Sequence, residues 1–120
     1  MNNYKDLALY DLKAAEKLNE YEMWNKVGRE CQQSCEKYLK FYLQSNNLLS
    51  TELEKTNNLK KPMRAVPNHD KHLLKELAVV GGYYFEANYP GDNFIELNQE
   101  MADEAIETTT ALIKFIDSLH

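Results

Sequence analysis

The stretch Trp24-Asn25-Lys26-Val27-Gly28-Arg29-Glu30-Cys31-Gln32-Gln33-Ser34-Cys35-Glu36-Lys37-Tyr38-Leu39-Lys40-Phe41-Tyr42 decides the fold. Trp24, Val27, Cys31, Cys35, Tyr38 and Tyr42 recur at steps of three and four, the period of one face of an α-helix. Arg29, Gln33, Glu36 and Lys40 fall on the opposite face. The spacing predicts one long amphipathic helix over 23–44.

Working outward, three more segments show the same period. Leu7, Tyr10, Ala14, Leu18 and Tyr21 predict a first helix over 4–20. A third helix is expected from Asn68 as N-cap, just after Pro67, with Leu73 or Leu74, Leu77, Val80 and Tyr84 as its stripe. Gly81-Gly82 interrupts it, as a kink or as a close helix contact. Tyr89-Pro90-Gly91-Asp92 is turn chemistry and ends it. A fourth helix starts near Asn98, with Glu100 in its first turn and Ala102, Ala105, Thr109, Leu112 or Ile113, Ile116 and Leu119 facing inward. Residues 45–68 are rich in Asn, Lys, Thr and Ser, and Pro62 and Pro67 bar a continuous helix there. Thr51-Glu52-Leu53-Glu54 suits one short helical turn in what is otherwise expected to be a long, mobile polar loop. The architecture expected is all-α: an antiparallel four-helix bundle with a long polar loop between helices 2 and 3, forming one domain over 1–120.

Composition excludes several classes. Hydrophobic residues make up 43% and charged residues 28% of the 120, a globular balance rather than a disordered one. No apolar run approaches the ~20 residues of a membrane helix. The start, Met1-Asn2-Asn3-Tyr4-Lys5-Asp6, carries no apolar leader core, so a cytoplasmic protein without membrane contact is expected. Cys31 and Cys35 sit four apart in a helical pattern, which suits two buried thiols rather than a disulfide framework or a zinc site. No metal and no cofactor is expected.

Charge is uneven. Between Lys55 and Lys75 the six bases Lys55, Lys60, Lys61, Arg64, Lys71 and Lys75 stand against Asp70 alone. From Tyr84 onward eight acids stand against Lys114 alone. The basic stretch is either a phosphate-attracting surface or a solvated loop beside the acidic last helix. Arginine is scarce, only Arg29 and Arg64, which argues against a dedicated duplex-binding surface.

Two motifs resemble the HEPN family (higher eukaryotes and prokaryotes nucleotide-binding domains). Cys31-Gln32-Gln33-Ser34-Cys35-Glu36-Lys37-Tyr38-Leu39-Lys40 resembles the family's second-helix pattern of Gln-Gln, Glu-Lys and Leu-Lys. Tyr83-Tyr84-Phe85-Glu86-Ala87-Asn88-Tyr89-Pro90 resembles its Tyr-x3-Arg-Tyr-Pro element, with Asn88 in the arginine's place. Asp11-Leu12 with Ala14-Ala15, and the start of the fourth helix at Ala102–Ala105, fit in the same order, while the stretch from the His69/His72 pair to Tyr84 is shorter than in the family. The resemblance implies a four-helix bundle of HEPN type and a non-catalytic nucleotide- or nucleic-acid-associated module. It also implies a homodimer and a minimal nucleotidyltransferase protein as partner. Leu39, Phe41 and Leu43, beside the Trp24 stripe, are read as surplus apolar surface that a dimer mate would cover.

The alternatives are a metal-independent ribonuclease toxin of a toxin–antitoxin pair, or a structural dimerising bundle. Catalytic family members place a histidine four to six residues after an arginine, pairing an anion stabiliser with a general acid/base. Arg64-Ala65-Val66-Pro67-Asn68-His69 has that spacing but precedes the third helix, whereas the family's pair lies near the last. Gln33, Glu36, Lys37, Lys40, His72, Tyr84, Asn88 and Tyr89 are the candidate binding residues for a nucleotide or single-stranded RNA. Each has a plainer reading: Gln33 to Lys40 as a solvated face with a Glu36–Lys40 pair, the aromatics as core, and His72 as a residue packed at the mouth of the third helix. His69 and His72 at i, i+3 also have metal-ligand spacing.

Overall fold

The structure, a computed structural model, describes residues 3–91 and 94–119. The side chain of Phe85 and residue Asp92, both named above, lie outside that set. The described residues are helical or in turns and loops, with no strand among them. Four long helices carry the bundle: α1 Tyr4–Glu20, α2 Trp24–Ser45, α5 Lys71–Glu86 and α6 Gln99–Asp117. Two five-residue helices, α3 Thr51–Lys55 and α4 Lys60–Arg64, lie in the connection between α2 and α5.

Side-chain caps set four of the six helix starts. Asn3 accepts from the Asp6 amide at 2.8 Å and Asn98 from the Met101 amide at 2.9 Å. Ser50 accepts from the Leu53 amide at 3.1 Å and starts α3, the short turn expected there. The start of α5 differs from the sequence expectation. Asp70, not Asn68, takes the amides of His72 (2.8 Å) and Leu73 (3.4 Å). Asn68 has φ 57°, a left-handed conformation that its short amide tolerates, so it makes the turn before the helix.

α2 is the axis of the fold and touches α1, α4, α5 and α6. Val27, Cys31, Cys35 and Tyr38 of its apolar stripe are buried, as expected. Burial of the two thiols pushes both up to about 12, against a hydrogen bond from Cys35 to Thr109 that works the other way. They are free and inert, in keeping with the sequence reading. Leu39 and Leu43 are fully buried in this one chain, so they supply no surplus apolar surface. Phe41 is half-buried, with the Lys5 ammonium 5.5 Å above its ring.

Three further expectations are corrected. The buried face of α1 is Ala8, Asp11 and Ala15, while Tyr10 and Tyr21 are exposed. Small residues let α1 and α2 approach closely enough for Ser34 to donate to the Ala8 carbonyl at 2.7 Å. α5 runs unbroken through Gly81-Gly82, and its buried stripe is Leu73, Leu77, Val80, Tyr83 and Ala87, with Tyr83 in place of Tyr84. The glycine packed against the core is Gly28 on α2, where a Cβ would lie 2.8 Å from Leu97 and 3.0 Å from the Tyr83 ring.

The 45–68 connection is packed rather than loose. Leu59, Met63 and Val66 are buried in the main core. Pro62 occupies the first turn of α4, where its missing N–H would have had no helical partner. Its side chain is buried as well.

Candidate functional site

Part of the polar face of α2 is interior, while Arg29, Gln33 and Lys37 are half-buried. Glu36 and Lys40 are buried and paired at 3.2 Å. Gln32 is fully buried and donates to Glu36 (3.3 Å) and to the Asn57 carbonyl (3.1 Å), so the 45–68 segment roofs this pair. Gln33 donates to Gln32 at 2.7 Å. Lys37 reaches back to Asp11 on α1 at 2.6 Å. Lys37 and Lys40 thus hold carboxylates of this chain. Gln32, which no motif reading singled out as a site, is the hub of the network.

The candidates around the end of α5 are also engaged. Asn88 donates its amide to the Tyr83 carbonyl at 3.0 Å and closes the helix end. The Tyr84 and Tyr89 rings lie 6.2 Å apart, and the Arg29 guanidinium sits 5.6 Å from the Tyr84 ring. Asn25, missed in the sequence, ties the following segment to α2: it donates to the Ala87 (2.7 Å) and Ile95 (3.1 Å) carbonyls and accepts from the Leu97 amide (2.7 Å).

The two histidines diverge, and their roles are the reverse of those expected. His72 is exposed and pairs with Glu76 at 3.3 Å. His69 is half-buried, with Nδ1 3.1 Å from the Val66 carbonyl. A neutral ring donating there from Nδ1 leaves Nε2 as an acceptor. No group of three metal-ligating side chains occurs among the described residues.

What the fold does bring together is the basic stretch. Lys60 and Arg64 of α4, His69 of the turn, and Lys71 and Lys75 of α5 line one pocket of about 520 Å³. Leu74 and Ala78 give it an apolar side. Among the described residues no carboxylate lines it. Asp70 turns its carboxylate onto the α5 amides instead. Lys61 points elsewhere and pairs with Glu52 at 3.2 Å. α4 packs on α2 and α5. Four like charges around one pocket repel one another, and an anion relieves that repulsion. Arg64 offers a planar fork and the lysines offer point charges, a donor set suited to phosphate oxygens. The sequence signalled the charge but not the convergence: Lys60, Lys71 and Lys75 stood only in the count of bases.

The described helices form an all-α bundle built around α2. The family model described as HEPN domain matches residues 1–119, and the chain belongs to that family. Two solved structures share the fold. TT1696 from Thermus thermophilus matches with TM-score 0.81 and 15% identity, over 95% of this chain and 93% of that one. ST0689, described as an archaeal HEPN homologue, matches with TM-score 0.77 and 18% identity, over 98% and 97%. A search of curated proteins found no match.

Proposed function

We propose that this HEPN protein is a phosphate-recognising binding module, engaging a nucleotide or single-stranded RNA through the Lys60–Arg64–Lys71–Lys75 pocket. The observation that carries the reading is that four cations converge on one concave site with an apolar wall and, among the described residues, no carboxylate. Phosphate oxygens take the cations, and a base or ribose lies against Leu74 and Ala78. A minimal nucleotidyltransferase protein and a homodimer mate are the partners that the family resemblance supports. With Leu39 and Leu43 buried, support for the mate rests on exposed Leu9, Tyr10 and Tyr21 along α1.

The test is a titration of fluorescent single-stranded RNA and of ATP against wild type and Lys71→Ala/Lys75→Ala. Salt-sensitive binding that weakens at least about tenfold in the variant, at unchanged melting temperature, is the expected result. Equal binding by both proteins removes the pocket from the reading.

A second reading, the metal-independent ribonuclease, is favoured by one observation: Arg64 and His69 share this pocket. Buried Met63 and Val66 on either side of Arg64, and the Val66 carbonyl at His69, hold the pair on ordered backbone. Here the guanidinium stabilises phosphate charge, and the imidazole exchanges a proton with an RNA 2′-hydroxyl. Metal-free RNA cleavage that vanishes in Arg64→Ala/His69→Ala would replace the binding reading with this one. Intact RNA after long incubation, with binding retained, keeps the module non-catalytic.

A further inference from the structure

His69 and His72 stand three apart in the chain and meet opposite surroundings. His72 has the Glu76 carboxylate at 3.3 Å. His69 lines the basic pocket together with Lys60 and Arg64 of α4 and Lys71 and Lys75 of α5. Among the described residues none of those four cations pairs with a carboxylate. Asp70, next to His69 in sequence, directs its carboxylate to the amides of His72 and Leu73. The His69 ring is half-buried, and its Nδ1 lies 3.1 Å from the carbonyl of Val66, a core residue. A carbonyl only accepts, so Nδ1 is the donor. That bond forms alike in the neutral and in the protonated ring, and it orients the ring in both.

With Nδ1 engaged, Nε2 is the nitrogen left for a ligand, and protonation decides what it offers. In the neutral ring it is an acceptor, which the oxygens of a phosphate, acceptors themselves, do not bond. In the protonated ring it is a charge-assisted donor, like the groups of arginine and lysine around it. The empty pocket gives that extra charge four cations for neighbours. A phosphate gathered by the same four cations gives it anionic oxygens instead. Anion binding and protonation of His69 therefore favour each other, and such coupling is reciprocal. The complex holds more protons than the free protein, so anion affinity rises as pH falls. Lysine and arginine keep their charge through the range around pH 6.5 where an imidazole ordinarily titrates, which leaves His69 as the variable member of the pocket lining.

We propose, resting on the phosphate reading of this pocket, that His69 is its fifth phosphate ligand and takes up a proton as the anion binds. The probe is a fluorescent 2′-O-methyl oligouridylate without terminal phosphates. Its diesters keep one charge each at every pH used, and its blocked 2′-oxygens cannot attack the chain. Anisotropy titrations of the full chain at fixed ionic strength run from about pH 8 to about pH 5.5, on either side of the ordinary histidine range. Wild-type affinity is expected to rise at least about fivefold over that span, and that of His69→Gln less than about twofold. His72→Gln, which alters the exposed histidine, keeps the wild-type rise. Calorimetry near pH 6.5 in two buffers of different ionisation enthalpy reads the proton directly. Wild type takes up part of a proton per oligonucleotide bound, and His69→Gln takes up none. A wild-type affinity that is flat in pH overturns the proposal, and so does a rise that survives in His69→Gln. Where a flat profile accompanies binding that Lys71→Ala/Lys75→Ala still weakens, the phosphate pocket stands and the role of His69 alone falls. Where Lys71→Ala/Lys75→Ala binds like wild type, the pocket reading falls and the role of His69 with it.

Discussion

Lys40 and Lys75 carry the same ammonium group and do opposite work. Lys40 lies inside, paired with Glu36 under the roof of the 45–68 segment. Lys75 lines an open pocket whose described walls hold no carboxylate. The HEPN-like motif contains the first and not the second. In this chain the motif on α2 helps to assemble the domain, and the proposed phosphate site lies in the basic stretch outside it.

The largest effect should come from breaking the interior pair. Glu36→Leu strands the Lys40 ammonium in a buried site and is expected to cost about 3–5 kcal/mol in urea unfolding. RNA or ATP affinity per folded molecule should stay near wild type. A stability loss below about 1 kcal/mol would mean that Lys40 finds water, and the contrast would fail. A middle effect is expected for Arg64→Lys, which keeps the charge and loses the fork. Phosphate binding should weaken about three- to tenfold with the melting temperature unmoved, read by fluorescence anisotropy. The smallest effect is expected at Lys61, exposed and paired with Glu52 on the surface. Lys61→Ala should change stability and binding by less than about 0.5 kcal/mol each. A tenfold loss of binding there would spread the site beyond the pocket and blur the comparison.

Much of the fold was legible. The bounds of α1 and α2 follow from periodicity, Asn98 caps α6 where residue chemistry says it should, and the short turn expected at Thr51-Glu52-Leu53-Glu54 forms with Ser50 as its cap. The face of α1 was misread because large side chains outweighed small ones. Ala8 and Ala15 are buried since their smallness permits close contact, while Tyr10 has nowhere to go but outward. The 45–68 segment was misread because its Asn, Lys and Pro content hid Leu59, Met63 and Val66, which step by four and three like any helix stripe. For the site, the excess of bases was visible, and so was the Arg64–His69 spacing. That α4 folds against α5 and gathers them into one pocket is tertiary, and local pattern does not carry it. Nor does it reveal which polar face is roofed: Gln33 to Lys40 read as surface until the covering segment was in place.

The anchoring of α4 has a consequence for exchange kinetics. A five-residue helix does not persist alone. Lys60 and Arg64 therefore keep their places only while Leu59, Met63 and Val66 remain seated in the core. Opening of this one segment would scatter the pocket and hydrate the Glu36–Lys40 pair in the same event, as a single cooperative unit. A bound anion, being held only in the closed state, raises the free energy of that opening by mass action. Amide protons of 59–66 should then exchange with solvent more slowly as ligand is added, and the interior of the domain would register what occupies its surface.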